Sequence, residues 1–272
     1  MKIAIIGAGN IGSALAFGLA QSGCLQPEDI CISNTHAQKL ENIKQREPRM
    51  RTTTDNRVCT DGADVVFIAV KPWKLAPLAE ELRGILNYRT QTVCSMVGGA
   101  GLDHLEEVFH RSKDEMRKDE PEVPALYYLI PNTAIAVRQS MTFLSSRGST
   151  QEMDEQLVEL FKHLGDAMLV EERLMNAGLV LASCGIAYAL RYIRSATGGG
   201  VQLGFRTSEA QHIVVQTLRG AAELLETHGS HPEEEIDKVT TPGGLTIRGL
   251  NAMEKIGFTA AIIEGITASF PK

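Results

Sequence analysis

Lys2-Ile3-Ala4-Ile5-Ile6-Gly7-Ala8-Gly9-Asn10-Ile11-Gly12, followed by an amphipathic segment over 13–22 and by Gly23, decides the fold of the first part of the chain. The opening run is short, β-branched and almost wholly apolar, as a strand buried on both faces of a parallel sheet must be. A glycine turn and a helical pattern follow without a break. In such a strand–turn–helix unit the spacing Gly-x-Gly-x-x-Gly has a physical purpose: Gly7 permits the tight turn, Gly9 lets the backbone approach a pyrophosphate, and Gly12 lets the helix pack close to the strand. Gly7, Gly9, Asn10, Ile11 and Gly12 are therefore candidate cofactor-binding residues, and the expected fold is a Rossmann-type doubly wound α/β sheet.

Working outward, the next strand is expected over 30–33, and its end bears on the choice of dinucleotide. An NAD enzyme usually places Asp or Glu there to hold the ribose 2′-hydroxyl, whereas this chain reads Ser33-Asn34-Thr35-His36 with Lys39 a turn later. With no carboxylate at the strand end to repel a 2′-phosphate, Ser33, Asn34 and Thr35 favour NADPH, with NADH as the alternative. A further buried strand is expected over 65–70, entering Lys71-Pro72 and a helix from about Lys74. Ligands of doubly wound sheets lie beyond the carboxyl ends of the strands, so Ala69, Val70, Lys71 and Pro72 would face the cofactor crevice. Strands are expected over 92–96 and 125–130. Residues 111–124 carry mixed charge and two prolines, and read as a solvated loop.

From Gln151 the pattern turns helical, with one short strand over 167–170. Beyond Glu171 only helices are expected, over 172–197, 208–228, 232–239, 243–255 and 259–269. This divides the chain into a dinucleotide-binding domain over 1–171 and a helical substrate-binding and dimerisation domain over 172–272. Residues 179–189 are apolar on nearly every side, which a small helical domain cannot bury alone, so the expected assembly is an intertwined homodimer or a larger oligomer built from it.

The net charge of −6 over 272 residues argues against a polyanion binder, and no nucleic-acid module stands out. The five cysteines are odd in number, widely spaced and without a Cys-x-x-Cys pair, which suits reduced thiols; Cys31, Cys94 and Cys184 read as buried small hydrophobes. No secretory signal is read at the N-terminus, and the longest apolar run, 177–190, is shorter than a bilayer span. A soluble cytoplasmic protein without membrane contact is the expectation. His228 and His231 flank a Gly-Ser turn without a ligand partner at metal spacing, so no metal site is expected.

Near the end stands Thr240-Thr241-Pro242-Gly243-Gly244-Leu245-Thr246-Ile247-Arg248-Gly249-Leu250-Asn251-Ala252-Met253-Glu254. Thr241 reads as an N-cap and Pro242 as the first helical residue, with two glycines leaving the next amides bare. Such a helix start binds anions, and Thr246 adds a hydroxyl beside it. The same residues also read as a capped helix whose glycines serve packing alone.

This stretch is similar to the C-terminal motif of the pyrroline-5-carboxylate reductase family: a Ser/Thr pair, Pro-Gly-Gly, a threonine two positions on, then small, aliphatic and acidic residues on one helix. Ala69-Val70-Lys71-Pro72 and Asn56 also resemble the family. The resemblance implies that the helix start, with Thr241, Gly243, Gly244 and Leu245, binds the substrate carboxylate. It implies that Thr246 is the catalytic residue on the ring nitrogen of a cyclic imine, and that Asn56 contacts the adenosine ribose. The implied activity is NADPH-dependent reduction of L-1-pyrroline-5-carboxylate to L-proline, the last step of proline biosynthesis. The chain departs from the family's usual residues at Val97, Ala134, Arg138, Ser140, Cys184 and Ile186. Two other readings remain: a reductase of another small cyclic imine or oxo acid, and a catalytically silent NADP(H)-binding regulatory protein.

Overall fold

The computed structural model describes residues 1–271, which divide into two compact units, Met1–Ser183 and Cys184–Lys272. The first is built on β1 (Ile3–Ile6), α1 (Asn10–Ser22), β2 (Ile30–Ser33), α2 (Ala37–Arg46), β3 (Arg51–Thr53), α3 (Asn56–Thr60), β4 (Val65–Ile68), α4 (Leu75–Arg83), β5 (Thr92–Ser95), α5 (Leu102–Phe109), β6 (Leu126–Ile130), β7 (Ser140–Arg147), α6 (Gln151–Lys162), β8 (Gly165–Leu169) and α7 (Glu172–Gly178). Its strands form one sheet in the order β3-β2-β1-β4-β5-β6-β7-β8, parallel throughout except between β6 and β7. The chain moves outward from β1 in both directions, which places a topological switch point between β1 and β4.

Alternation along the central strands supplies the two layers. Ile3, Ile5, Ile30, Ile32, Val65 and Phe67 point to the side covered by α1, α2 and α6, where Leu15, Leu19, Leu40, Leu157 and Phe161 meet them. Ala4, Ile6, Val66 and Ile68 point to the other, against Leu75, Leu78 and Leu82 of α4 and Leu105 and Phe109 of α5. The strand β3 had no expectation: Arg-Thr-Thr is short and polar, and it pairs only along one edge of β2.

The segment read as a solvated loop is exposed over most of its length, but its first residue is not. Arg111 is 1% exposed, and its guanidinium pairs with Glu120, donates from Nε to the Arg83 carbonyl at 2.8 Å and lies 3.6 Å over the Tyr88 ring. The mixed charges of 111–124 thus include one inward-facing pair that pins the loop to the end of α4.

The second unit contains α8 (Gly185–Gln202), α9 (Thr207–His228), α10 (Pro232–Lys238), α11 (Leu245–Lys255) and α12 (Phe258–Ala268). The backbone stays helical from Glu172 to Gln202 through a π-turn at Leu179–Cys184. That 31-residue stretch is long and apolar enough, by length and composition, to cross a membrane, unlike the shorter run read from sequence. Among the described residues of the second unit only Thr197 and Ala210 are fully buried, while Leu190, Leu203, Leu224, Ile262 and Ile263 are exposed. His228 is tied to Glu235 at 3.3 Å, and His231 caps α10 by accepting from the Glu233 amide at 3.2 Å.

Replacing Glu120 with Ala strands a buried guanidinium and is expected to cost about 3 kcal/mol in urea unfolding. Glu122→Ala, which removes an exposed carboxylate paired with His110, should cost less than about 1 kcal/mol. Equal costs would show that the buried pair contributes nothing beyond its surface neighbour.

Candidate active site

The carboxyl edge of β1, β2 and β4 gathers most of the residues expected at the cofactor. Gly7 has φ of 113°, and a Cβ there would lie 2.5 Å from the Ala69 carbonyl oxygen, so no side chain fits between the turn and β4. Its amide donates to the Ser33 carbonyl at 2.9 Å, which ties the turn to β2 as well. A Cβ on Gly12 would lie 2.0 Å from the Gly7 oxygen. Gly9 differs: a Cβ there meets nothing within 4 Å, and as N-cap of α1 it leaves that helix without a side-chain cap. The open space beside Gly9 and the start of α1 without a side-chain cap leave room of the kind a pyrophosphate fills, so the turn fits a dinucleotide.

Around β2 the fold makes contacts that no spacing announces. Ser33, fully buried, donates from its hydroxyl to Asn56 Oδ1 at 2.7 Å. The Asn34 amide bonds to the Thr53 carbonyl at 3.3 Å, while Thr35 is exposed with its hydroxyl 3.1 Å from His36 Nδ1. Asn56 in turn donates from Nδ2 to Glu81 of α4 at 3.2 and 3.3 Å. The end of β2 carries no carboxylate, as read from the sequence, yet α4 delivers one beside Asn56 from 25 residues away. Ala69 and Val70 are half-buried at the end of β4, and Lys71 and Pro72 are exposed beyond it, opening a 3-10 turn over Pro72–Lys74.

Departures from the family pattern have local reasons. Val97 is 1% exposed and belongs to the apolar layer under α4 and α5. Arg138 has φ of 57°, a left-handed conformation that glycine adopts at least cost. Ser140 accepts through its hydroxyl from the Asn132 amide at 3.1 Å. Cys94 is fully buried, and desolvation pushes its thiol well above the usual range, so it is no nucleophile. Glu172, which drew no attention in the sequence, accepts from the Leu102 amide at 2.5 Å and from Arg147 at 3.3 Å, and so anchors the loop 97–101 from the start of α7.

In the second unit the expected cap is corrected. Thr241-Pro242-Gly243-Gly244 is a type II turn: Gly243 has φ of 72°, and the Gly244 amide donates to the Thr241 carbonyl at 2.9 Å. Pro242 belongs to this turn and lies outside the helix, and Gly244, not Thr241, is the N-cap of α11. Proline at the second place and glycine at the third is the composition such a turn demands, and it outweighs the capping preference of threonine. A Cβ on Gly244 would lie 2.6 Å from Thr241 Oγ1. The helix start has no side-chain cap, Leu245 is 80% exposed and Thr246 is exposed in its first turn. Arg248 donates from Nε to the Gly244 carbonyl at 3.4 Å, which adds positive charge to an end that already favours anions.

Residues 172–272 match the family model described as pyrroline-5-carboxylate reductase dimerisation, and residues 2–98 match NADP oxidoreductase, coenzyme F420-dependent. Pyrroline-5-carboxylate reductase 2 of Dictyostelium discoideum is 32% identical across 100% of this chain and 91% of its own length. Pyrroline-5-carboxylate reductase 1 of the same organism is 34% identical across 99% of this chain, which spans only 49% of that relative. The solved structure of a pyrroline-5-carboxylate reductase from Coxiella burnetii is 26% identical and superposes with a TM-score of 0.87 over 99% of this chain and 96% of that one.

The two helix-start glycines of the first unit separate binding from packing. Gly9→Ala should cost less than about 1 kcal/mol of stability while lowering dinucleotide affinity about tenfold or more by calorimetry. Gly12→Ala should destabilise by about 3 kcal/mol through its clash with the turn. A Gly9→Ala protein with parental dinucleotide affinity would sink this assignment.

Proposed function

The chain is a member of the pyrroline-5-carboxylate reductase family, and from that membership we propose that it is an NADPH-dependent oxidoreductase reducing L-1-pyrroline-5-carboxylate to L-proline in proline biosynthesis, with NADH as a second cofactor. The observation that carries the substrate class is a comparison inside the molecule. At Gly101, the glycine N-cap of α5, the carboxylate of Glu172 takes the first free amide at 2.5 Å. The start of α11 presents the same arrangement with no side chain on it, which suits the carboxylate of a small ligand.

Bound NADPH supplies the hydride. Gly7, Gly9, Asn10, Ile11 and Gly12 would hold its pyrophosphate, Ser33, Asn34, Thr35 and Asn56 its adenosine ribose, and Ala69, Val70, Lys71 and Pro72 the crevice wall. The substrate carboxylate lies on the turn of Thr241, Gly243, Gly244 and Leu245, fixing the ring so that it has little freedom left to lose at the transition state. The Thr246 hydroxyl accepts from the protonated imine nitrogen and so stabilises the iminium, the form that receives hydride at carbon. In this reading positioning and charge do the protein's part, and no histidine or carboxylate is needed as an acid.

The chain forms homo-oligomers through its dimerisation region. We assign a homodimer made by the helices of the second unit, because those helices leave Leu190, Ile262 and Ile263 uncovered in a single chain. The first unit is the dinucleotide-binding domain and the second the substrate-binding and dimerisation domain. All five cysteines are free, which fits a reducing, cytoplasmic setting.

Thr246→Val should lower kcat/KM for the imine by about 1 to 3 kcal/mol, roughly five- to 150-fold, followed by nicotinamide absorbance with racemic pyrroline-5-carboxylate. A variant with parental turnover and substrate affinity would remove Thr246 from the mechanism. In sedimentation the parent is expected as a dimer or larger, and Ile263→Glu is expected to shift it toward the monomer. An unshifted variant would place the interface elsewhere.

A further inference from the structure

The hydrogen-bonded row at the end of β2 assigns a task to Glu81. Ser33 donates to Asn56 Oδ1 at 2.7 Å, and Asn56 Nδ2 faces both oxygens of Glu81 at 3.2 and 3.3 Å. A carboxylate only accepts, so Glu81 dictates which way the Asn56 amide is turned: nitrogen toward α4, oxygen toward Ser33. Were the amide reversed, its oxygen would meet the carboxylate and the Ser33 hydroxyl would lose its acceptor. Glu81 is on the exposed side of α4, and among the described residues its carboxylate has Asn56 as its only hydrogen-bond partner.

The end of β2 is where a bound dinucleotide brings its adenosine ribose, and the difference between NADPH and NADH is one phosphate on that ribose. A negative charge one hydrogen-bonded residue away from Ser33 therefore acts on the two cofactors unequally. It leaves a ribose hydroxyl unaffected and repels a phosphate dianion, across a partly solvated distance over which such charges still interact. We propose that Glu81 is a positioning and specificity-determining residue: it orients Asn56 for the adenosine ribose of either cofactor and, by its charge, holds back NADPH so that NADH remains usable. The proposal rests on the reading of this crevice as a dinucleotide site.

Two substitutions separate orientation from charge, with the oligomeric protein titrated by calorimetry against NADPH and NADH and KM and kcat measured beside it. Glu81→Gln keeps an acceptor for Asn56 and loses the charge: NADPH is expected to bind about three- to tenfold more tightly, with NADH within about twofold of the parent. Glu81→Ala loses both: NADH is expected to weaken about fivefold, while NADPH changes less because relief of repulsion offsets the loss of orientation. In both variants the change falls on cofactor affinity and KM, with kcat following it little. The proposal is overturned if the ratio of NADPH to NADH affinity stays within about twofold of the parent in both folded variants, or if Gln behaves as Ala does. A parent that binds neither dinucleotide would overturn the cofactor reading itself, whereas a parent that binds both, with indifferent variants, would overturn only the role of Glu81.

Discussion

The first unit depends on one contact distance. The glycine turn after β1 lies against β4 so closely that a methyl group on Gly7 would come within 2.5 Å of the Ala69 oxygen, and one on Gly12 within 2.0 Å of the turn itself. This approach lets α1 rise directly from β1 while β4 continues the sheet on the other side. The switch point between β1 and β4 is thus held by backbone against backbone. Side chains could not hold it, because a Cβ at Gly7 or Gly12 would collide with the backbone of Ala69 or of the turn. Packing at Gly7 and Gly12 and openness at Gly9 are two results of one geometry.

Much of the sheet was legible because its central strands are buried on both faces and so must be apolar runs: Ile3–Ile6, Ile30–Ser33, Val65–Ile68 and Thr92–Ser95 lie within a residue or two of where the pattern puts them. What escaped is what tertiary contact decides. Arg51–Thr53 becomes a strand only because β2 offers an edge. Arg111 reads as solvated from its charged neighbours, and is buried because Tyr88, Glu120 and two carbonyls converge on it. The site residues of the glycine turn carry their reason in their spacing, so sequence finds them. Glu81 and Glu172 carry theirs in partners 25 and 70 residues distant, so it does not.

Thr241 shows how local rules compete. Threonine before proline is a strong N-terminal signal on its own, yet the following Gly-Gly makes a type II turn available, and the turn closes a backbone hydrogen bond that a threonine cap would not. The helix begins three residues later in consequence, and its start is left to glycine. The misreading concerns where the helix begins and which residue stands at its start, Gly244 and not Thr241.

Four of the described helices open on a glycine N-cap; at Gly9, Gly101 and Gly244 the backbone is extended and no side chain of the cap residue serves the helix, while Gly257 is left-handed. A helix start of this kind leaves amide hydrogens without partners, which is costly where water is excluded. At Gly101 the protein meets that cost itself, by sending Glu172 from the start of α7, and a Cβ on Gly101 would lie 2.7 Å from that carboxylate oxygen. At Gly9 and Gly244 no side chain among the described residues takes that place. The protein thus shows within its own fold that a carboxylate can satisfy such an end. An anionic group supplied from outside the chain suits both positions, and in the proposed function these groups are a pyrophosphate at Gly9 and a small carboxylate at Gly244.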